Sequence, residues 1–156
     1  MRIISRSESS TLRIGRVIGK NLKRGDILCL FGELGSGKTV LVKGIASGLG
    51  IRMFKVISPT FVLIREYLEG RFALYHFDLY RLKKEQDILG LGYEEYLDKD
   101  GVVVIEWADR LNYLLPKEFL KIKLSIRSDR ERKIEIFPFG RHHRDLLKKI
   151  HADISH

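Results

Sequence analysis

Gly32-Glu33-Leu34-Gly35-Ser36-Gly37-Lys38-Thr39 is the stretch that decides how this chain is read. Glycines at 32, 35 and 37 let the backbone turn tightly, so that consecutive N–H groups can point into one concave space. A helix that starts at the end of such a loop adds its positive dipole end to the same point. Lys38 can neutralise phosphate charge, and the Thr39 hydroxyl is placed to ligate Mg²⁺. Average residue frequencies give a chance match of about 0.5% in a chain of this length. Together these features imply a cradle for a nucleoside triphosphate, with ATP and Mg²⁺ as the expected ligands.

The flanking sequence supplies the context this loop needs. Ile27–Phe31 is a short continuous apolar run, the pattern of a strand buried on both faces. After the loop, Val42, Ile45, Ala46 and Leu49 recur at helical spacing, and Gly50 can end that helix. A strand–loop–helix unit of this kind also needs a carboxylate at the end of a neighbouring strand. Glu106, after the apolar run Val102–Ile105, is the first candidate, and Asp78, after Phe72–Phe77, is the second. An ordinary strand-end acid, or for Asp78 an ion pair with Arg81, is the plainer alternative in each case. Ser58-Pro59-Thr60 offers hydroxyls in a loop where phosphate-sensing switches are found, although Ser-Pro is also a common turn. His76 reads as a packing or hydrogen-bonding residue, and Trp107 as core or as a wall of the site. No Cys/His set has metal-ligand spacing, and no nucleophilic triad can be argued.

Farther out, Ile14, Val17, Ile18 and Leu22 define a helix over residues 9–22, with serines available to cap it. Residues 61–68 and 72–78 form one expected hairpin. Residues 120–126 and 132–137 form another, around Ser128-Asp129-Arg130. Residues 83–97 read as short helical pieces broken at Gly90 and Gly92, and the basic tail from Arg141 to Lys149 as a further helix. The expected architecture is α/β: a three-layer sandwich of the P-loop NTPase type. Its central sheet would be mixed and mostly parallel, with antiparallel hairpins.

The 156 residues suit one domain over 1–156, with a basic tail from about 140. Arg2, Arg6 and Glu8 break any apolar leader, and no run approaches a membrane span. One cysteine, Cys29, cannot form an internal disulfide, so a soluble protein of a reducing compartment, the cytoplasm, is expected. The formal charge of +9 attracts polyanions without choosing among them. On the residues alone, a slow ATPase, a small P-loop kinase, a non-hydrolytic nucleotide-dependent binding module and direct nucleic-acid binding through the +9 charge all remain open.

Four motifs occur in one order: the phosphate loop, then Ser58-Pro59-Thr60-Phe61, then Tyr75-His76-Phe77-Asp78-Leu79-Tyr80-Arg81-Leu82, then Ile105-Glu106-Trp107. Over roughly residues 8–138 this combination resembles the TsaE (YjeE) family, the ATPase component of bacterial tRNA threonylcarbamoyladenosine synthesis. The resemblance implies weak ATPase activity and action together with TsaB and TsaD on the adenosine next to the anticodon. The tRNAs concerned read codons that begin with A; tRNA itself would be met indirectly or within the complex. It also implies roles for residues. Leu34, Gly35, Ser36, Gly37, Lys38 and Thr39 would hold the phosphates, and Thr39 and Glu106 the Mg²⁺. Asp78 would serve hydrolysis, with Glu106 as its catalytic companion, and Ser58–Phe61 would be a switch. Thr11 would lie near the adenine, and Arg130 of the last hairpin would reach the nucleotide, with Arg132 nearly as good a match. Ala108-Asp109 departs from the family's usual Pro-Glu after the tryptophan.

Overall fold

The computed structural model describes residues 1–58 and 61–156. Its centre is the strand pair that the apolar runs foreshadow. β2 (Ile27–Phe31) lies parallel to β5 (Gly101–Glu106), and β4 (Ala73–Asp78) lies parallel to β5 on the other side. β6 (Phe119–Ile126) is parallel to β2. Antiparallel strands flank this centre: β3 (Ile64–Tyr67) beyond β4, and β7 (Arg132–Phe139) and β1 (Arg2–Ser5) beyond β6. The sheet has seven strands in the order β1-β7-β6-β2-β5-β4-β3. Both expected hairpins are present. The first is shorter than its apolar pattern suggests, because Leu63 turns through φ 73° and the strand starts only at Ile64.

Alternation along the strands feeds two cores. On one face, Leu28, Leu30, Val102, Val104 and Ile122 pack under α1 (Glu8–Asn21), α2 (Lys38–Gly48) and α5 (Arg141–Ile154). On the other, Cys29, Phe77, Val103 and Ile105 pack under α3 (Glu85–Leu89), α4 (Tyr93–Leu97) and the 3₁₀ turns of Ala108–Leu114. Three layers result. Cys29 is fully buried, and burial pushes its thiol far above the ordinary range, so it acts as a small apolar side chain. No helix among the described residues is long and apolar enough to cross a membrane.

Two details of the helical layer were not foreseen. α1 and α2 meet backbone to backbone through Gly15 and Gly19 on one helix and Gly44 and Gly48 on the other. A Cβ on Gly15 would lie 2.5 Å from the Leu41 carbonyl oxygen and 2.9 Å from the Gly44 Cα. Arg71, from the β3–β4 turn, then ties the C-terminal ends of both helices. Its guanidinium donates to the carbonyls of Gly19 (3.1 Å) and Gly48 (3.0 Å), and the Arg71 N–H donates to Leu49 O at 2.6 Å. A cation at two helix C-termini satisfies orphan carbonyls and opposes both dipoles. Arg71→Ala is therefore expected to lower stability by about 1–2 kcal/mol, since the side chain is largely exposed. Thermal melting, with a fall of roughly 3–6 °C, is the check; an unchanged midpoint would remove Arg71 from this role.

Candidate functional site

The loop 32–37 leaves the C-terminal end of β2 and runs into α2. Gly35 (φ 79°) and Gly37 (φ 99°) take left-handed backbone that side chains resist, and this aims the loop at the end of the sheet. Lys38, 5% exposed, folds back across the loop. Its ammonium donates to Gly32 O at 2.6 Å, Glu33 O at 2.9 Å and Ser36 Oγ at 3.4 Å. Burial pulls the Lys38 ammonium below the ordinary lysine range; Glu106, Asp78, Asp109 and Glu33 pull it back up.

Parallel pairing brings the acids to the loop. Leu30 of β2 sits opposite Glu106 of β5, and Glu106 sits opposite Asp78 of β4, so the two carboxylates stand side by side at the C-terminal ends of interior strands. Both are almost fully buried. Thr39 Oγ1 donates to Glu106 Oε1 at 3.0 Å, which joins the start of α2 to the end of β5. Asp78 accepts from Ser58 Oγ at 3.0 Å through one oxygen and from the Tyr80 N–H at 3.0 Å through the other. Arg81, weighed above as a partner for Asp78, lies instead over the Phe61 ring at 4.2 Å. Pro59 and Thr60 lie outside the described residues, so the switch reading reaches the structure only through Ser58 and Phe61.

His76 has a more definite place than its sequence suggests. Side chains at 76 and 78 share one face of β4, while Phe77 enters the opposite core. His76 is fully buried, and its Nε2 lies 2.6 Å from Glu106 Oε2. Glu106 is thus held from two sides, by Thr39 and by His76. The period-two alternation was the signal; its partner lies 30 residues away across a parallel register. Trp107 is a wall of the site. Its left-handed backbone (φ 58°) turns the chain just after Glu106, and its ring lies 4.1 Å from the Lys38 ammonium and 4.9 Å from the Tyr80 ring.

These groups line a cleft of about 790 Å³. Leu34 through Thr39, Ser58, Asp78, Glu106 and Trp107 form one side. Thr11 lies on the other, buried and 2.7 Å from Ser5 Oγ. Arg130 and Arg132 both reach the cleft. Arg132 is committed to the loop, donating to Gly35 O at 3.1 Å and Ser128 O at 2.9 Å, whereas Arg130 is exposed at the mouth. Arg6, Ser7, Glu8 and Asp129 complete the wall and were not foreseen from the sequence. Ser7 had a local mark, since it caps α1 by accepting from the Ser10 N–H at 3.0 Å. The residues fit a Mg²⁺–triphosphate: left-handed glycines open the loop, an ammonium lies across it, and a hydroxyl–carboxylate pair offers hard oxygen ligands.

Residues 5–134 match the family model for the threonylcarbamoyl adenosine biosynthesis protein TsaE. The tRNA threonylcarbamoyladenosine biosynthesis protein TsaE of Nostoc sp. is 41% identical over 94% of this chain and 91% of its own. That of Treponema pallidum is 43% identical over 87% and 99%, and that of Bacillus subtilis 41% over 93% and 91%. The crystal structure of Bacillus subtilis YdiB superposes with a TM-score of 0.85 at 33% identity, covering 98% of this chain and 95% of that one.

Proposed function

Because the chain belongs to the TsaE family of threonylcarbamoyl adenosine biosynthesis proteins, we propose that it is the slow, Mg²⁺-dependent ATPase of a tRNA-modifying assembly. In this reading it acts with TsaB and TsaD in the cytoplasm. The modification concerned is the threonylcarbamoyl group on the adenosine next to the anticodon of tRNAs reading codons that begin with A. The observation that carries the proposal is the meeting of Lys38, Thr39, Glu106 and Asp78 at the adjacent ends of β2, β5 and β4.

Leu34 through Lys38 bind the phosphates, with Lys38 as the fixed positive charge. Thr39 and Glu106 hold Mg²⁺, which supplies charge neutralisation on the phosphate oxygens. His76 keeps the Glu106 carboxylate turned toward the loop. Asp78 orients the attacking water. Both of its oxygens already accept hydrogen bonds, from Ser58 and from the Tyr80 N–H, which weakens it as a base and accounts for slow turnover by the protein alone. Thr11 and Arg130 flank the nucleoside end of the cleft.

Steady-state turnover, with and without TsaB–TsaD, tests the reading. Slow hydrolysis alone and a different rate in the complex are expected; equal, fast rates in both would refute it. Asp78→Ala is expected to keep ATP affinity within about threefold while turnover falls ~10²-fold or more, and modified tRNA disappears from cells. Normal modified-tRNA levels in that mutant would remove Asp78 from its role.

A further inference from the structure

The cleft accounts for the acids at the strand ends, but not for the charge on the far side of the helical layer. α1 carries Arg13, Arg16 and Lys20 at i, i+3 and i+7, and α5 carries Arg141, Arg144 and Lys148 at the same spacing. That spacing puts each trio on one face of its helix, in a row about 10 Å long. All six are exposed. Neither helix turns these rows toward the protein. α1 buries Thr11, Ile14, Gly15, Ile18 and Gly19, and α5 buries His143, Leu146 and Ile150. The two helices pack side by side, tied by Asn21 Nδ2 donating to Asp153 Oδ2 at 2.8 Å. The rows therefore share the outer surface of one layer.

Three further observations bear on what this surface meets. Among the described residues, none of the six side chains is in an ion pair, although seven other Lys/Arg–carboxylate pairs form there. Of the three carboxylates on these two helices, Asp153 is turned to Asn21 and Glu8 lines the cleft, which leaves Asp145 alone beside six cations. Acid is gathered on the opposite side of the sheet, where residues 85–100 of the α3–α4 layer hold six carboxylates against one lysine. The 85–100 segment is thus acidic, although Arg81, Lys83 and Lys84 stand just before it, and the unbroken basic rows are those of α1 and α5.

We propose that the α1–α5 face binds the phosphate backbone of folded RNA through Arg13, Arg16, Lys20, Arg141, Arg144 and Lys148. A polyphosphate backbone rewards unpaired cations spread over two rows, because each phosphate neutralised releases a condensed counterion. Two other anionic partners suit this face poorly. Membrane-surface helices and protein interfaces both need exposed apolar anchors, and among the described residues every exposed large hydrophobic residue lies outside α1 and α5. The choice of tRNA as the RNA rests on the tRNA-modification reading above; the backbone grip itself does not.

The test is fluorescence anisotropy of a labelled, unmodified tRNA transcript with the full chain, without nucleotide or partner proteins, titrated from ~50 to ~200 mM salt. The wild type is expected to bind with a steep salt dependence. A sextuple variant with all six residues changed to Gln is expected to bind at least tenfold more weakly at the lowest salt. Its slope of log K against log salt should become shallower by up to about 0.9 for each phosphate that the variant leaves unneutralised. Glutamine keeps good helix propensity at these exposed sites, and Glu94→Gln with Glu95→Gln in the acidic segment serves as the control, with affinity undiminished. The sextuple variant should retain wild-type ATP binding and turnover, since none of its residues lines the cleft. Equal tRNA affinity in variant and wild type overturns the proposal, as does wild-type binding to phosphatidylserine vesicles but not to tRNA. If ATP turnover is absent while the tRNA titration behaves as described, the ATPase reading fails and this one stands.

Discussion

Lys38→Ala is expected to cost roughly a hundredfold in ATP affinity and ~10²–10³-fold in turnover, with the fold intact. The ammonium does two things at once. It pins the loop by donating to the Gly32 and Glu33 carbonyls, and it brings a buried positive charge to the place where Glu106 and Asp78 stand side by side. Alanine removes both. The loop carbonyls lose their donor, and the two buried carboxylates lose the ammonium nearest the loop, which disfavours a triphosphate there. Loss of charge-assisted hydrogen bonds worth about 3 kcal/mol sets the hundredfold. Lys38→Arg is expected to rescue poorly, because a planar fork cannot fold back over two adjacent carbonyls as a compact ammonium does. Calorimetric titration with a non-hydrolysable ATP analogue, beside thermal melting, decides the matter. An affinity within threefold of wild type would refute the placement of phosphate over this loop.

Gly44→Val is expected to prevent stable folding, and Gly44→Ala to lower stability by about 2 kcal/mol. Helix propensity alone gives the opposite sign, since alanine in a helix interior is better than glycine by about 1 kcal/mol. Packing decides. A Cβ at 44 meets the Leu12 carbonyl of α1 and lies 2.9 Å from the Gly15 Cα. Both obstacles are backbone, so relief requires the helices to part. That in turn opens the core beneath them, where Ile14, Ile18, Leu41 and Ile45 are buried. Valine adds two methyl groups to the same gap. Denaturant melts of the alanine variant test the sign directly: stabilisation would show that the helices yield there at little cost.

The sequence carried the centre of this molecule well and its edges less well. β2, the phosphate loop and α2 were legible because each obeys a local rule: an apolar run, spaced glycines, a helical period. Glu106 and Asp78 were legible as strand ends. That they are neighbours depends on the parallel register of β4 with β5, which no local pattern states. β1 escaped notice because Arg2–Ser5 is four residues long and pairs only with β7, at the other end of the chain. Gly15, Gly19, Gly44 and Gly48 carry no local signal in the two helices; only the facing helix gives them a purpose. Arg71 read as a turn residue, and its partners are carbonyls, which carry no sequence signature. Trp107 could be placed beside the site from its position after Glu106, but not its left-handed turn, which tertiary packing imposes.

The glycine seam between α1 and α2 has a mechanical consequence for the cleft. α1 brings Ser7 and Thr11 to one wall, and α2 begins at the phosphate loop on the other. With backbone meeting backbone at four glycines and Arg71 clamping the far ends, the two helices are tied as one body. The cleft therefore has a fixed jaw, which under the ATPase reading proposed above would set the distance between the nucleoside and phosphate ends. Under the ATPase reading proposed above, any stroke falls to groups outside this seam, Ser58 and Asp78 ahead of Tyr80. A reporter pair across α1 and α2 should stay silent through the ATP cycle, while one placed from α2 to Tyr80 should register it.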